Sequence, residues 1–314
     1  MPVTGLHHLT AISSDPLETF RFYTQVLGLR LVKKSVNQDD VATYHLFFGN
    51  RLGSPGMDLT FFPFQPVRQG HPGSRSVERI GLAVPLESLD FWQARFSDLG
   101  VTQQPVQERF GRPSLPFSDN DGQQFELIGL EKFASQFEEE VWMTADVGAE
   151  QAIRCFPWMN LHVNQLSTIE PIMQLFGYEQ QANDGAEYLY QLPGVESAGE
   201  LVVRVSQDAP AQLGAGGVHH LAFGVEAEED LRRFQSELVE LGLRPTAVID
   251  RYYFKSVYFQ TPAGLFELAT LGPGFTADEN ESQLGQELAL PPFLESKRQE
   301  IEANLPPLEI ETND

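Results

Sequence analysis

Apolar residues recur at three- and four-residue steps in three stretches of the chain. They are Leu17, Phe20, Tyr23 and Leu27; Leu89, Trp92, Phe96 and Leu99; and Leu231, Phe234, Leu238 and Leu241. This spacing predicts amphipathic helices with one buried face. Each stretch runs into an apolar-glycine-apolar triplet: Leu27-Gly28-Leu29, Leu99-Gly100-Val101 and Leu241-Gly242-Leu243. A fourth triplet, Phe176-Gly177-Tyr178, follows a shorter stretch from Ile169 to Phe176 that carries Pro171. Proline is tolerated near a helix start, and glycine suits the left-handed residue that closes one. The four glycines lie 72, 77 and 65 residues apart, which marks a repeat.

A short apolar run precedes each helix: Leu6 to Ile12, Ile80 to Val84, Trp158 to Val163 and Val218 to Val225. Runs that read as strands follow each one. They include Tyr44 to Phe48, Met57 to Phe62, Gln124 to Ile128, Leu201 to Val205, Ser256 to Phe259 and Leu265 to Leu268. Asn120-Asp121-Gly122 and Thr261-Pro262-Ala263-Gly264 supply turns between them. Each unit therefore reads strand, helix, then about three strands. Four βαβββ units predict an α+β protein with helices on one side of its sheets. The expected organisation is an N-terminal pair of units (1–130), an acidic connector (131–151), a C-terminal pair (152–271) and an acidic tail (272–314). A short helix fits Phe293 to Ala303 in that tail.

Composition narrows the class. The chain has 314 residues, 44 of them acidic and 21 basic, for a net charge of -23. Such a chain repels polyanions, so neither nucleic acid nor an anionic membrane is an expected partner. Much of the excess is local: the tail holds ten acidic and two basic residues, and the connector six and one. The charge thus reports solvated segments more than a binding surface. One cysteine, Cys155, excludes an internal disulfide framework. No signal-like start and no apolar run near the roughly 18 residues of a membrane helix is visible. The expectation is a cytoplasmic protein, homo-oligomeric through exposed strand edges.

Candidate chemistry rests on two matched doublets, Gly5-Leu6-His7-His8-Leu9 and Gly217-Val218-His219-His220-Leu221. Both sit on the first strand of a unit. Adjacent strand residues face opposite sides, so each doublet is expected to point one ring inward. Spacing alone does not select which. Glu267, flanked by apolar residues in Leu265-Phe266-Glu267-Leu268, supplies a third donor. A buried carboxylate needs a cation, and two imidazoles with one carboxylate form a facial metal triad with open positions. In the second unit Glu126 occupies a similar strand, but Glu78-Arg79 stands in place of a doublet, so Arg79 is expected to pair with Glu126. His162 lies too near its helix to match the doublets. His45 and His71 read as ordinary strand and loop residues.

On these doublets, with Tyr44-His45-Leu46-Phe47-Phe48, Gly53-Ser54-Pro55-Gly56 and Asp250 to Tyr258, the chain resembles the vicinal oxygen chelate superfamily. Among its members it is most similar to hydroquinone-type extradiol ring-cleaving dioxygenases. The resemblance covers residues 3 to about 272. It implies the glyoxalase/bleomycin-resistance/extradiol dioxygenase fold and an Fe(II) centre on His8, His220 and Glu267. It further implies roles near the metal for His7, His219 and Thr10, and functional roles for Arg251 and Tyr258. On that basis His219 or His7 is expected to transfer protons, Tyr258 to hydrogen-bond the substrate and Arg251 to offset its charge. Thr10 and Phe254 are expected at the substrate. The catechol-cleaving enzymes take their first histidine from the third unit, where this chain has Trp158. The expected partners are a small aromatic diol and O2. Two other activities suit the same scaffold: a lyase, isomerase or thiol transferase using Zn, Ni or Mn, and non-enzymatic binding of small aromatic molecules. Units one and four must face each other if unit one supplies His8 while unit four supplies His220 and Glu267.

Overall fold

The computed structural model describes residues 1–308. The last six residues of the expected acidic tail lie outside the described residues. The first unit comprises β1 (Gly5–Ser13), α1 (Pro16–Arg21), β2 (Arg30–Asn37), β3 (Asp40–Gly49) and β4 (Asp58–Pro63). The second comprises β5 (Ser76–Pro85), α2 (Leu89–Asp98), β6 (Gln107–Arg109), β7 (Arg112–Ser118) and β8 (Gln124–Leu130). A short α3 (Ser135–Glu139) lies in the connector. The third unit has β9 (Trp158–Val163), α4 (Glu170–Phe176), β10 (Glu179–Asp184), β11 (Glu187–Gln191) and β12 (Glu200–Val205). The fourth has β13 (Gly217–Val225), α5 (Glu228–Glu240), β14 (Ile249–Asp250), β15 (Lys255–Thr261) and β16 (Gly264–Thr270). Finally, α6 (Arg298–Asn304) is the last element of the described chain, a short helix that overlaps the span expected for one.

The helices form where the periodicity placed them. Asp15 caps α1 by accepting from the backbone of Leu17 and Glu18, both at 2.9 Å. Its spiral continues through one π-helical turn, Phe22–Val26. Gly177 closes α4 at φ 94°, a conformation that favours glycine. α5 buries Leu231, Phe234 and Leu238. Each such side chain contributes about 1.5–3 kcal/mol on full burial. Among the described residues no helix is long and apolar enough to cross a membrane.

The strands form two eight-stranded mixed sheets. One runs β14-β15-β16-β13-β1-β4-β3-β2, the other β10-β11-β12-β9-β5-β8-β7-β6. Units one and four therefore share a sheet, as do units two and three. At each centre the first strands of two units pair antiparallel, β1 with β13 and β5 with β9. Within each unit the first strand pairs parallel with the last, as β1 does with β4 and β13 with β16.

The segment after β16 is docked on the first sheet. Phe275, Leu284, Leu290, Leu294 and Ile301 are buried, and Ala289 N–H donates to Lys34 O at 2.9 Å. Lys33 is wholly buried. Its ammonium donates to Asp278 at 2.7 Å and to Phe275 O at 3.1 Å, and also meets Glu279. Tyr253 O–H donates to the same Asp278 at 2.8 Å, which ties the docked segment to the loop before β15.

The second sheet contains the Glu126 cluster. Arg79 does approach Glu126, at 3.7 Å. The closer guanidinium is Arg109, at 2.5 Å, from a strand not assigned from the sequence. Trp158 Nε1 at 2.7 Å, Asn160 Nδ2 at 2.9 Å and Ser114 Oγ at 2.9 Å complete the shell. Arg109 and Arg79 hold this carboxyl below its usual range despite burial. Removing one partner of a buried pair strands the other charge. Arg109→Leu should therefore destabilise the fold by about 3 kcal/mol, the low end of such losses because Arg79 and Trp158 remain. The Arg109→Leu/Glu126→Leu pair should recover most of it in chemical denaturation. Equal stability of the single variant and the wild type would show that Arg109 does not carry the charge of Glu126.

Candidate metal centre

The central seam of the first sheet builds the site. Across it Leu6 pairs with Phe223 and Leu9 with Leu221, so His7 and His8 together face only Ala222. Thr10 pairs with His220 and Ala11 with Val218, so His219 is an extra residue in β13. Each doublet thus sits at a β-bulge, a device that re-aims side chains. The bulges bring together two rings that regular alternation would send to opposite sides of the sheet. His7 and His8 meet through Nδ1 atoms 2.9 Å apart, and His219 and His220 through Nδ1 atoms 2.8 Å apart.

Both second histidines aim Nε2 at one point. His8 Nε2 lies 3.1 Å and His220 Nε2 3.0 Å from Glu267 Oε2, and the two nitrogens are 3.2 Å apart. All three residues are buried, with Glu267 at 0% exposure. Ser256 O–H donates to the other carboxylate oxygen, Oε1. Oε2 itself accepts no well-directed hydrogen bond.

Proton bookkeeping explains why. His7 Nε2 lies 3.2 Å from Thr270 O, which can only accept, so His7 carries its proton there. Burial, then the neighbouring His8, pushes His7 down to about 3, so the ring is neutral. Its Nδ1 must then accept from His8 Nδ1–H. A neutral His8 consequently presents a bare Nε2 lone pair to Glu267, the tautomer a metal requires. Burial opposes charge on His8, but Glu267 outweighs it and raises the ring. Glu267 is held well below the usual range, because the two imidazoles overcome its burial. The pocket therefore calls for one added cation at Nε2, a proton or a metal. A divalent metal fits the donor set of two imidazoles and one carboxylate.

The surroundings fix these ligands. Thr10 is wholly buried, and its hydroxyl lies 2.9 Å from His220 Nε2 and 2.7 Å from Thr60 Oγ1. Neither Thr10 nor His7 lines the cavity beside the centre, although both were expected in contact with the reaction. Each instead contacts a ligand histidine. Asp58, opposite His8 in β4, was not foreseen. Burial pushes it up to about 8, with His8 opposing and Glu267 reinforcing the shift. Its only sequence signal is an acid between apolar residues, Met57 and Leu59.

A cavity of about 370 Å³ opens on the centre. His8, His219, His220, Tyr258, Arg251 and Phe254 all line it, as do Phe47 and Phe62. Phe254 packs 5.0 Å from the His8 ring and 5.3 Å from His7. Tyr258 sits opposite Glu267 in register, 5.6 Å from the His220 ring. Burial and the Glu267 charge push its hydroxyl up, so it is a donor at neutral pH. Arg251 stands over the Tyr258 ring at 5.4 Å and pairs with Asp39 at 2.9 Å. His45, expected to be an ordinary strand residue, also lines the cavity and bonds Thr60 at 2.9 Å. His162 lies in the other sheet, 2.7 Å from Ser206, away from the centre.

Four βαβββ units with a buried two-histidine, one-carboxylate cluster able to hold a metal define a vicinal oxygen chelate protein. The family model of the Glyoxalase/Bleomycin resistance protein/Dioxygenase superfamily matches residues 5–127. The "Putative ring-cleaving dioxygenase MhqA" of Bacillus subtilis (strain 168) is 38% identical over 98% of this chain and 100% of its own. The chlorohydroquinone/hydroquinone 1,2-dioxygenase of Sphingobium indicum is 34% identical over 95% of each chain. The crystal structure of a "putative dioxygenase" from Bacillus subtilis superposes with a TM-score of 0.93 at 35% identity, over 98% of both chains. Glyoxalase I from Zea mays, at 15% identity and a TM-score of 0.63 over 85% of this chain and 92% of its own, shares the fold. The chain belongs to this superfamily and, within it, to the ring-cleaving dioxygenases.

The ligand geometry has a direct consequence. The protein should retain close to one divalent metal per chain, measured by elemental analysis. Glu267→Ala should abolish retention; unchanged metal content in that variant would exclude this ligand set.

Proposed function

We propose that the protein is an Fe(II)-dependent, extradiol-type dioxygenase that opens the ring of a hydroquinone or a related aromatic diol. The observation that carries this reading is the three-donor centre, His8, His220 and Glu267, at the base of an aromatic-walled cavity. Similarity to the chlorohydroquinone/hydroquinone enzyme supports the substrate class. The single buried cysteine supports a reducing, cytoplasmic setting.

Iron held by the triad would supply the redox chemistry that joins O2 to the diol, on positions the three ligands leave open. The chain's own groups do the rest. Phe254, Phe47 and Phe62 pack the ring and exclude water. Tyr258 O–H donates to a substrate oxygen. Arg251, once drawn from Asp39, offsets charge on the phenolate. His219 accepts at Nδ1 when His220 binds through Nε2, which leaves Nε2 of His219 to exchange a proton with the substrate. His219 is neutral in this role, because burial, then His220, pushes it down to about 4. His7 holds His8 in its ligand tautomer and Thr10 steadies His220. The ring carbon–carbon bond beside one hydroxyl breaks, and both atoms of O2 enter the product.

Purified anaerobically and loaded with Fe(II), the protein should consume O2 with a hydroquinone among a panel of hydroquinones and catechols. Tyr258→Phe should lower kcat by about 10²-fold or more while metal content stays unchanged. No uptake with any diol, despite bound iron, would exclude the reading.

A further inference from the structure

The proposed chemistry gives no task to His45. This residue is half-buried and lines the cavity beside the metal centre. Its ring is clamped between Phe47 and Phe62, whose centroids lie 3.8 Å and 4.4 Å away. Its Nε2 is 2.9 Å from Thr60 Oγ1. Its Nδ1 has no partner among the described residues, yet it is not sealed from solvent as the orphaned Glu267 Oε2 is. The phenylalanines fix the ring plane and the threonine fixes its rotation, so a free nitrogen is held in the cavity wall. Burial, then His220 and His8, holds the ring well below its usual range, so it is neutral. A neutral imidazole nitrogen either donates or accepts, whereas a phenolic hydroxyl does both. Such a hydroxyl therefore pairs with Nδ1 in either tautomer.

The sheet order decides which hydroxyl this is. Thr10 stands opposite both His220 and Thr60, and Thr60 opposite Phe47, which shares a face of β3 with His45. Close polar contacts follow that row: His45 Nε2 to Thr60, Thr60 to Thr10 at 2.7 Å, and Thr10 to His220 Nε2 at 2.9 Å. Two threonine side chains thus separate His45 from the ligand histidine. Tyr258, on β15, lies on the other side of the ligand-bearing strands β16, β13 and β1. An oxygen at the metal is the one Tyr258 meets, and His45 stands farther along the opposite wall. In a catechol both hydroxyls sit at the metal end of the ring. In a 1,4-diol the second lies at the far end. Other polar groups of the cavity are committed to the backbone: Asn37 Oδ1 accepts from Asp39 N–H, and Thr246 Oγ1 from Tyr258 N–H, both at 3.0 Å.

We infer that His45 binds the far hydroxyl of a 1,4-diol and so selects hydroquinones over catechols. The inference rests on the ring-cleaving function proposed above and assigns the group that recognises its substrate. The near oxygen lies at the centre beside Tyr258, the ring packs among the phenylalanines, and the far hydroxyl meets Nδ1 of His45. Phe47 and Phe62 keep water from that contact, which strengthens it. A bound catechol covers Nδ1 without pairing it, and a polar group cut off from water in this way is costly. Selection thus works against the wrong diol as well as for the right one.

Calorimetric titration of the Fe(II)-loaded protein without O2 reads the contact directly, with hydroquinone, phenol and catechol as probes. Phenol differs from hydroquinone only by the far hydroxyl. The wild type should bind hydroquinone about tenfold more tightly than phenol, as one hydrogen bond in a site closed to water provides. His45→Phe should keep the ring packing and the metal content, and should erase that preference without weakening catechol. Two further variants separate substrate binding from support of Thr60. An asparagine amide falls near the place of Nδ1, and a glutamine amide near the place of Nε2. His45→Asn should therefore restore part of the preference and His45→Gln none. The KM for hydroquinone should rise wherever the preference is lost. Equal affinity for hydroquinone and phenol in the wild type, loss of catechol binding in His45→Phe, or rescue by His45→Gln alone would each overturn the proposal. A His45-dependent preference for hydroquinone in a protein that takes up no O2 would keep the contact and remove the ring-cleaving function instead.

Discussion

An ionised carboxylate cannot remain in a protein interior without a cation beside it. This chain meets that constraint twice, at corresponding points of its two sheets. Glu267 stands beside Ala222 in register and Glu126 beside Gly81. His220 opposes Thr10 across one seam as Arg79 opposes Asn160 across the other. In the second sheet the positive charge comes from the chain itself, through Arg109 with Arg79. In the first sheet the matching positions are imidazoles, so the charge must come from outside. One architecture therefore yields a closed ion-pair cluster and an open cluster able to hold a metal, according to which side chains surround the glutamate.

The bulges make the open centre workable. In a regular strand His7 and His8 would face opposite sides of the sheet. The extra residue in β1 lets both rings meet, and the Thr270 carbonyl then sets the proton of His7, which sets the proton of His8. His219 occupies the corresponding extra position in β13. The β5–β9 seam keeps an irregularity of the same kind at Glu78, between Val77 and Arg79. The seam geometry is thus common to both sheets, while the metal-binding chemistry belongs to one.

The cavity is assembled from several parts of the chain. β3 supplies His45 and Phe47, and β13 supplies His219 and His220. Tyr258 comes from β15, and Arg251 and Phe254 from the loop before it. That loop is held from outside: Asp278 joins Tyr253 to buried Lys33, and Gln38 Nε2 donates to Arg251 O at 2.9 Å. The acidic tail, largely solvated by composition, contributes two carboxylates to this anchor. Asp278 thereby supports the wall of the cavity through Tyr253.

The repeat, the four helices and the first strand of every unit were legible in the sequence, because amphipathic periodicity is local. The matched doublets and the apolar setting of Glu267 singled out the histidines and the acid, since so polar a cluster on buried strands needs a partner. Strands such as β2 were less visible: Lys33 looks solvent-facing until Asp278 and Glu279 arrive from about 245 residues away. Arg109, Asp58 and His45 were unreadable because each acquires its role only once its strand is paired within the sheet. Which histidine of each doublet points at Glu267 was decided by the tertiary structure alone. Strand alternation is a property of residue order, but a bulge is a property of pairing, and pairing exists only once units one and four share a sheet.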